Sequence, residues 1–216
     1  MTDLPSPSRR TPSVPAVVLL LIFVLLVLPT ALVAIALGLG LRPLPYELFA
    51  VLQRLPLAFP LHMIASGAAL ILIPIAAFAR PRRGIHRALG RMAAVAVVIG
   101  GLTALPVALA SEATATARAG LFAQGLVWLA LLAFAVSAIR RGDVARHARF
   151  MLAMTAVASG AIWLRLVTFA ATSVGVPFEQ VYAGAAWTCW LVPLGVAAIA
   201  ARWFEPRAAV QARSAV

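Results

Sequence analysis

The sequence predicts an all-α fold: a polytopic integral membrane bundle of six transmembrane helices with both termini in the cytoplasm. Three observations carry this reading. The chain has 216 residues, of which 63% are hydrophobic and 11% charged, and its mean hydropathy is +1.02. Six apolar runs each reach the length of about 20 residues that a spanning helix needs. The arginines alternate between the segments that join those runs. A water-soluble domain of this size exposes too much surface to hide so many apolar side chains, so lipid is the solvent for most of the chain.

The runs follow one another with short polar links. Residues 11–41 carry no charge, and residues 55–79 carry only His62. Residues 92–111 and 119–139 are uncharged, residues 150–178 are interrupted once by Arg165, and residues 180–201 are uncharged. These runs predict spans at 14–40, 57–79, 88–110, 119–139, 147–172 and 180–202, within a transmembrane domain over 13–203. Residues 1–12 read as a disordered cytoplasmic N-terminus and 204–216 as a cytoplasmic tail. A closed barrel is excluded, because the runs are continuous rather than alternating. Arg9 and Arg10 before the first run resemble the start of a signal peptide. The run is longer than a usual signal core, which favours a retained first helix.

Between the first two spans, Pro43, Pro45 and Pro56 bracket Tyr46, Leu48, Phe49, Leu52 and Leu55, an apolar pattern for a short helix at the membrane interface. Pro29, Pro74, Pro106 and Pro193 fall within spans and predict kinks.

All 18 basic residues are arginine. With the N-terminus inside, fourteen of them fall in inner segments, three (Arg42, Arg54 and Arg118) in outer segments, and Arg165 within a span. This is the positive-inside distribution. It assigns the formal net charge of +12 to membrane topology rather than to a nucleic-acid surface. The bilayer is therefore the one partner that the composition names. The single cysteine, Cys189, lies in an apolar run, which excludes an intramolecular disulfide and a multi-cysteine metal site.

Few polar residues reach membrane depth, and those few carry the functional information. His62 enters the second span from its outer end, and Arg165 lies a similar distance from the outer end of the fifth. Gln124 in the fourth span and Trp187 and Trp190 in the sixth lie near the same depth. His62, Arg165, Gln124 and Trp187 together form a candidate outer ligand site, with Ser66 and Ala69 leaving room on the His62 face. The competing structural readings are aromatic-belt tryptophans and a histidine bonded to a neighbouring helix. His147 and Arg165 are 18 residues apart, five whole turns of an unbroken helix, and so share a face.

His86 and His147 mark the inner side, one at the start of the third span and one at the start of the fifth. Two histidines on facing helices are the minimum for a bis-histidine haem b, with Arg87 and Arg149 as candidate propionate contacts. From His86 the third span continues through Gly90, Ala93, Val97, Gly100 and Ala104. That stripe of small residues admits either close helix packing or a flat prosthetic group. No phosphate-binding loop, no HExxH pattern and no intramembrane carboxylate is present.

Several of these segments resemble those of a bacterial family described as predicted membrane proteins, a domain of unknown function. The resemblance covers about residues 60–203. It rests on His62-Met63-Ile64-Ala65-Ser66-Gly67, on His86-Arg87-Ala88-Leu89-Gly90-Arg91, on His147 with Phe150-Met151, on Leu164-Arg165 and on the tryptophans of the sixth span. It implies a location in the bacterial inner membrane. A looser similarity is to the six-helix cytochrome b561 type, which implies haem ligands on the second to fifth helices. The fourth span here has no histidine, so that similarity implies an inner haem alone, held by His86 and His147.

Three functional classes follow. The first is a membrane redox protein with that haem and an unidentified redox partner. The second is a small transporter or ligand-binding bundle using the outer His62 and Arg165 site. The third is a structural membrane protein without small-molecule chemistry.

Overall fold

The computed structural model describes residues 14–213, with side chains described from 18 to 201. The element order is α1 (Val14–Ile22), a π-helical turn (Phe23–Val27), α2 (Leu28–Gly38), α3 (Tyr46–Arg54), α4 (Ala58–Phe78), α5 (Arg83–Ala110), α6 (Ala115–Arg140), α7 (Val144–Ala158), α8 (Gly160–Ser173) and α9 (Phe178–Arg213). No strand occurs among the described residues. Six helices are long and apolar enough to cross a membrane, the fifth being α7 and α8 in succession. The expected disorder of residues 1–12 lies outside the described residues.

Several boundaries differ from the sequence reading. The third span begins at Arg83 rather than 88. Arginine is a good helix former, and its long side chain reaches water from within the first turn, so charge marks the edge of the bilayer rather than the end of the helix. The sixth helix likewise runs past the apolar run to Arg213. The fifth span is broken at Ser159, which separates α7 from α8. His147 and Arg165 therefore lie on two helical segments, joined through Ser159, whose own φ and ψ remain helical.

The prolines act unequally. Before Pro29 the helix widens into the π-turn, where the Leu28 N–H bonds the carbonyl of Phe23. A proline removes one ladder bond and crowds the carbonyl four residues back, and a π-turn accommodates both. Pro74 and Pro106 sit inside α4 and α5, which continue unbroken past them.

Packing runs in order across the bundle. α2 packs on α4, α4 on α5, and α5 on α6; α6 then meets both α7 and α9, and α9 meets α7 and α8. Glycines set the closest approaches. A β-carbon at Gly67 would lie 2.7 Å from Ile35 Cγ1 and 2.8 Å from the Ala31 carbonyl, so α2 and α4 touch backbone to backbone there. The main apolar core joins Ile73, Val97, Trp128, Met154, Val157 and Trp190. A smaller core joins Ala34, Val51, Phe59 and Met63 beneath α3.

At one end, the arginine-bearing turns α4–α5 and α6–α7 reverse the chain. In the second turn Gly142 adopts φ 78°, and the Asp143 and Gly142 N–H groups bond the carbonyls of Ala138 and Ile139. This is a Schellman stop, and glycine takes the left-handed position without strain. Asp143 then caps α7, accepting from the Arg146 N–H at 2.8 Å.

Candidate functional site

At the end of the bundle opposite those arginine-rich turns, a cavity of about 270 Å³ lies among five spans. His62 and Ser66 reach it from α4, Gln124 and Trp128 from α6, Arg165 from α8 and Tyr182 from α9. Leu48 and Val51 of α3 form part of its wall. The rest of the lining is mainly apolar, including Phe59, Met63, Leu121 and Leu164, and contains no aspartate or glutamate.

Each polar group is held by a helix end, a glycine or a break. The His62 Nδ1 lies 2.9 Å from the carbonyl of Gly100 on α5. A carbonyl only accepts, so Nδ1 is the donor, and in the neutral imidazole that leaves the lone pair on Nε2. The close approach of α4 and α5 at this level depends on Gly100, where a β-carbon would stand 2.8 Å from Ser66 Oγ. Gln124 donates from Nε2 to the Val157 carbonyl at 3.0 Å, beside the break at Ser159. Its amide oxygen is then the group left to accept from a ligand. Gly160, just past the break, makes room for this amide, since a β-carbon there would lie 2.6 Å from Gln124 Nε2. Arg165 donates from Nη1 to the Ala161 carbonyl at 2.6 Å, which ties its guanidinium to the preceding turn. An arginine has five N–H donors, so this bond leaves most of its capacity for another acceptor.

α3 closes one side. Its apolar face buries Val51 to 2% exposure. Arg54 at its end bonds the Ala110 carbonyl at 2.8 Å and pairs with Glu112. That latch ties the short interfacial helix to the end of α5.

Three of the four residues expected at this site, His62, Gln124 and Arg165, do line one cavity. Trp187 does not. Its indole N–H bonds the Thr116 carbonyl at 3.0 Å and its ring packs where a β-carbon on Gly120 would lie, so it joins α9 to α6. Tyr182 lines the wall instead, between one and two helical turns nearer the start of α9. Depth alone could have suggested Tyr182, since it lies only four residues into that helix. Trp128, also in the lining, has an indole nitrogen that is buried with no hydrogen-bond partner among the described residues.

His86 and His147 occupy matching positions at the other end. Each is the fourth residue after its helix N-cap, Arg82 and Asp143 respectively. The His86 Nδ1 bonds the Ala76 carbonyl at 2.8 Å, and the His147 Nδ1 bonds the Ala135 carbonyl at 2.9 Å. Each imidazole thus ties its helix to the span before it. Ala76 and Ala135 are buried and small, which lets the ring reach the backbone. Their helices, α5 and α7, both pack on α6. Arg87 and Arg149 are exposed. No group of three or more His, Cys, Asp or Glu side chains gathers among the described residues. The small-residue stripe on α5 is packing surface at least at Gly100, where Ser66 fills the space.

Compared with known families, residues 59–201 match a family model described as "Predicted membrane protein (DUF2306)". No curated protein and no solved structure matches the chain.

Proposed function

The chain belongs to the DUF2306 family of predicted membrane proteins, and from its cavity we propose that it is a ligand-binding membrane bundle that takes a small organic anion. The observation that carries this reading is Arg165 at membrane depth in a cavity whose lining holds no acidic side chain. A cation at such depth is costly without a counter-charge, and a bound carboxylate supplies one through charge-assisted hydrogen bonds. The apolar wall of Phe59, Met63 and Leu164 suits a hydrocarbon body, and the Gln124 amide oxygen and His62 Nε2 accept from its polar substituents. With the orientation that the arginine asymmetry favours, both termini are cytoplasmic and the cavity faces the outer side, with α3 across the entry. A small transporter is the extension of this reading in which the ligand also leaves toward the cytoplasm.

The test uses benzoate and its neutral isostere benzamide on detergent-purified protein. Benzoate raises the unfolding temperature and benzamide does not, and Arg165→Ala removes the difference. A charged hydrogen bond is worth about 1.5–3 kcal/mol, so the variant weakens benzoate by roughly 10- to 150-fold. Equal responses to acid and amide in the wild type would sink the reading.

A second reading is a haem b between α5 and α7. One observation favours it: a histidine that donates Nδ1–H to a carbonyl presents a basic Nε2, the usual arrangement of a metal-bound imidazole. His86 and His147 would be the ligands, with Arg87 and Arg149 at the propionates. Protein expressed with added haem precursor and lacking a Soret band sensitive to dithionite would rule it out.

A further inference from the structure

A second concavity lies on the lipid-facing side of the bundle, between α5 and α6, at the arginine-rich end. It is a groove of about 650 Å³. Val95, Val98 and Ile99 wall it on α5 and Leu129, Ala133 and Val136 wall it on α6, with Leu132 among its lining. Ala94 and Ala133 are small between larger neighbours, which opens the space. Val95 and Val98 are 59% and 41% exposed, so the wall is offered to lipid rather than covered by another helix.

The polar end of the groove is built from one charge sign. Ser137, Arg140 and Arg141 close it, and no acidic residue lines it. Arg141 donates from Nη1 to Ser137 Oγ at 2.7 Å, which holds one guanidinium against the last turn of α6. Arg91 lies three and four residues before Ala94 and Val95, on the same face of α5. From Leu129 to Arg141 the helix rises about 18 Å. That is close to the half-thickness of the hydrocarbon core, about 15 Å. An acyl chain lying along the wall therefore brings its phosphate to the level of the arginines. A basic pocket between transmembrane helices at a charged membrane face is how anionic headgroups are held.

We propose that this groove is a specific site for an anionic phospholipid, with one acyl chain along Val98 and Ala133 and the phosphate on Arg140 and Arg141. The site is separate from the cavity of His62 and Arg165.

The test is native mass spectrometry of the full chain released from nanodiscs containing equal phosphatidylglycerol and phosphatidylcholine. The wild type retains phosphatidylglycerol about tenfold more than phosphatidylcholine, the ratio that 1.4 kcal/mol of preference gives. Arg140→Gln with Arg141→Gln abolishes the preference. Arg82→Gln with Arg83→Gln removes the same charge from the same end but outside the groove, and leaves the preference intact. Ala133→Trp, on an exposed face, fills the groove without altering charge and lowers retention of both lipids. Equal retention of the two lipids by the wild type overturns the proposal. So does an equal loss from the two arginine pairs, since that is general surface charge rather than a site.

Discussion

Gly100→Ala tests how the candidate cavity is held together. The added β-carbon would stand 2.8 Å from Ser66 Oγ, 3.2 Å from Ser66 N and 3.4 Å from Ser66 Cα. Favourable carbon contacts lie near 3.5–4.0 Å. The hydroxyl can rotate away, but the Ser66 nitrogen belongs to the α4 backbone, so the two helices must separate by a few tenths of an ångström. Overpacking of this kind costs about 1–3 kcal/mol. The separation also strains the bond between His62 Nδ1 and the Gly100 carbonyl, now 2.9 Å, and interhelical bonds of this type average about 0.6 kcal/mol. Against this, alanine gains up to about 1 kcal/mol of helix propensity over glycine. The net expectation is a loss of about 1–3 kcal/mol in a denaturing-detergent titration, with weaker benzoate binding because His62 moves. Adding Ser66→Ala relieves only the hydroxyl contact and recovers part of the loss. Wild-type stability in Gly100→Ala would refute the close approach of α4 and α5. Full recovery in the double variant would refute the backbone part of the argument.

Other substitutions separate the roles of the neighbouring residues. Gln124→Leu removes the bond to the Val157 carbonyl and lowers stability by about 0.6–1.7 kcal/mol in the same titration, together with benzoate affinity. Trp187→Phe loses the bond to Thr116 and costs stability by a similar amount, yet leaves the benzoate response unchanged, because Trp187 lies outside the cavity wall. Arg54→Gln releases the latch of α3 on Glu112. An exposed ion pair contributes only about 0–1 kcal/mol, so stability barely moves, while a thiol placed at Leu48→Cys is alkylated faster than in the latched chain.

The sequence made the spans legible because lipid enforces long apolar runs and arginine marks their edges. It also brought His62, Gln124 and Arg165 to one layer, since depth along a span is a simple count of residues. Features that depend on contact between helices were not legible. The break at Ser159 falls on the dipeptide Ser159-Gly160, a local turn signal, but only the structure shows that Gln124 of another helix meets the Val157 carbonyl there. Trp187 was assigned by depth, but depth does not say which way a side chain faces, and its indole turns to Thr116. Tyr182 stands at a depth that a residue count gives, four residues into α9, and only the contacts between helices show that it belongs to the cavity wall. The histidines at 86 and 147 stand at matching helix starts, and what the sequence does not show is that each is anchored to the carbonyl of the span that precedes it. The short helix between Pro45 and Pro56 was expected at the interface, and its place as a wall of the cavity emerged only when Leu48 and Val51 were seen beside Phe59 and Met63.

The central claim is that the cavity of His62, Gln124 and Arg165 receives a small organic anion. Anomalous diffraction from crystals grown with 4-bromobenzoate measures this directly. The account predicts a bromine peak within the cavity, the carboxylate toward Arg165 and the ring beside Phe59 and Leu164, and no peak there in Arg165→Ala. A bromine peak elsewhere alone, or one in the cavity that persists unchanged in Arg165→Ala, would contradict it.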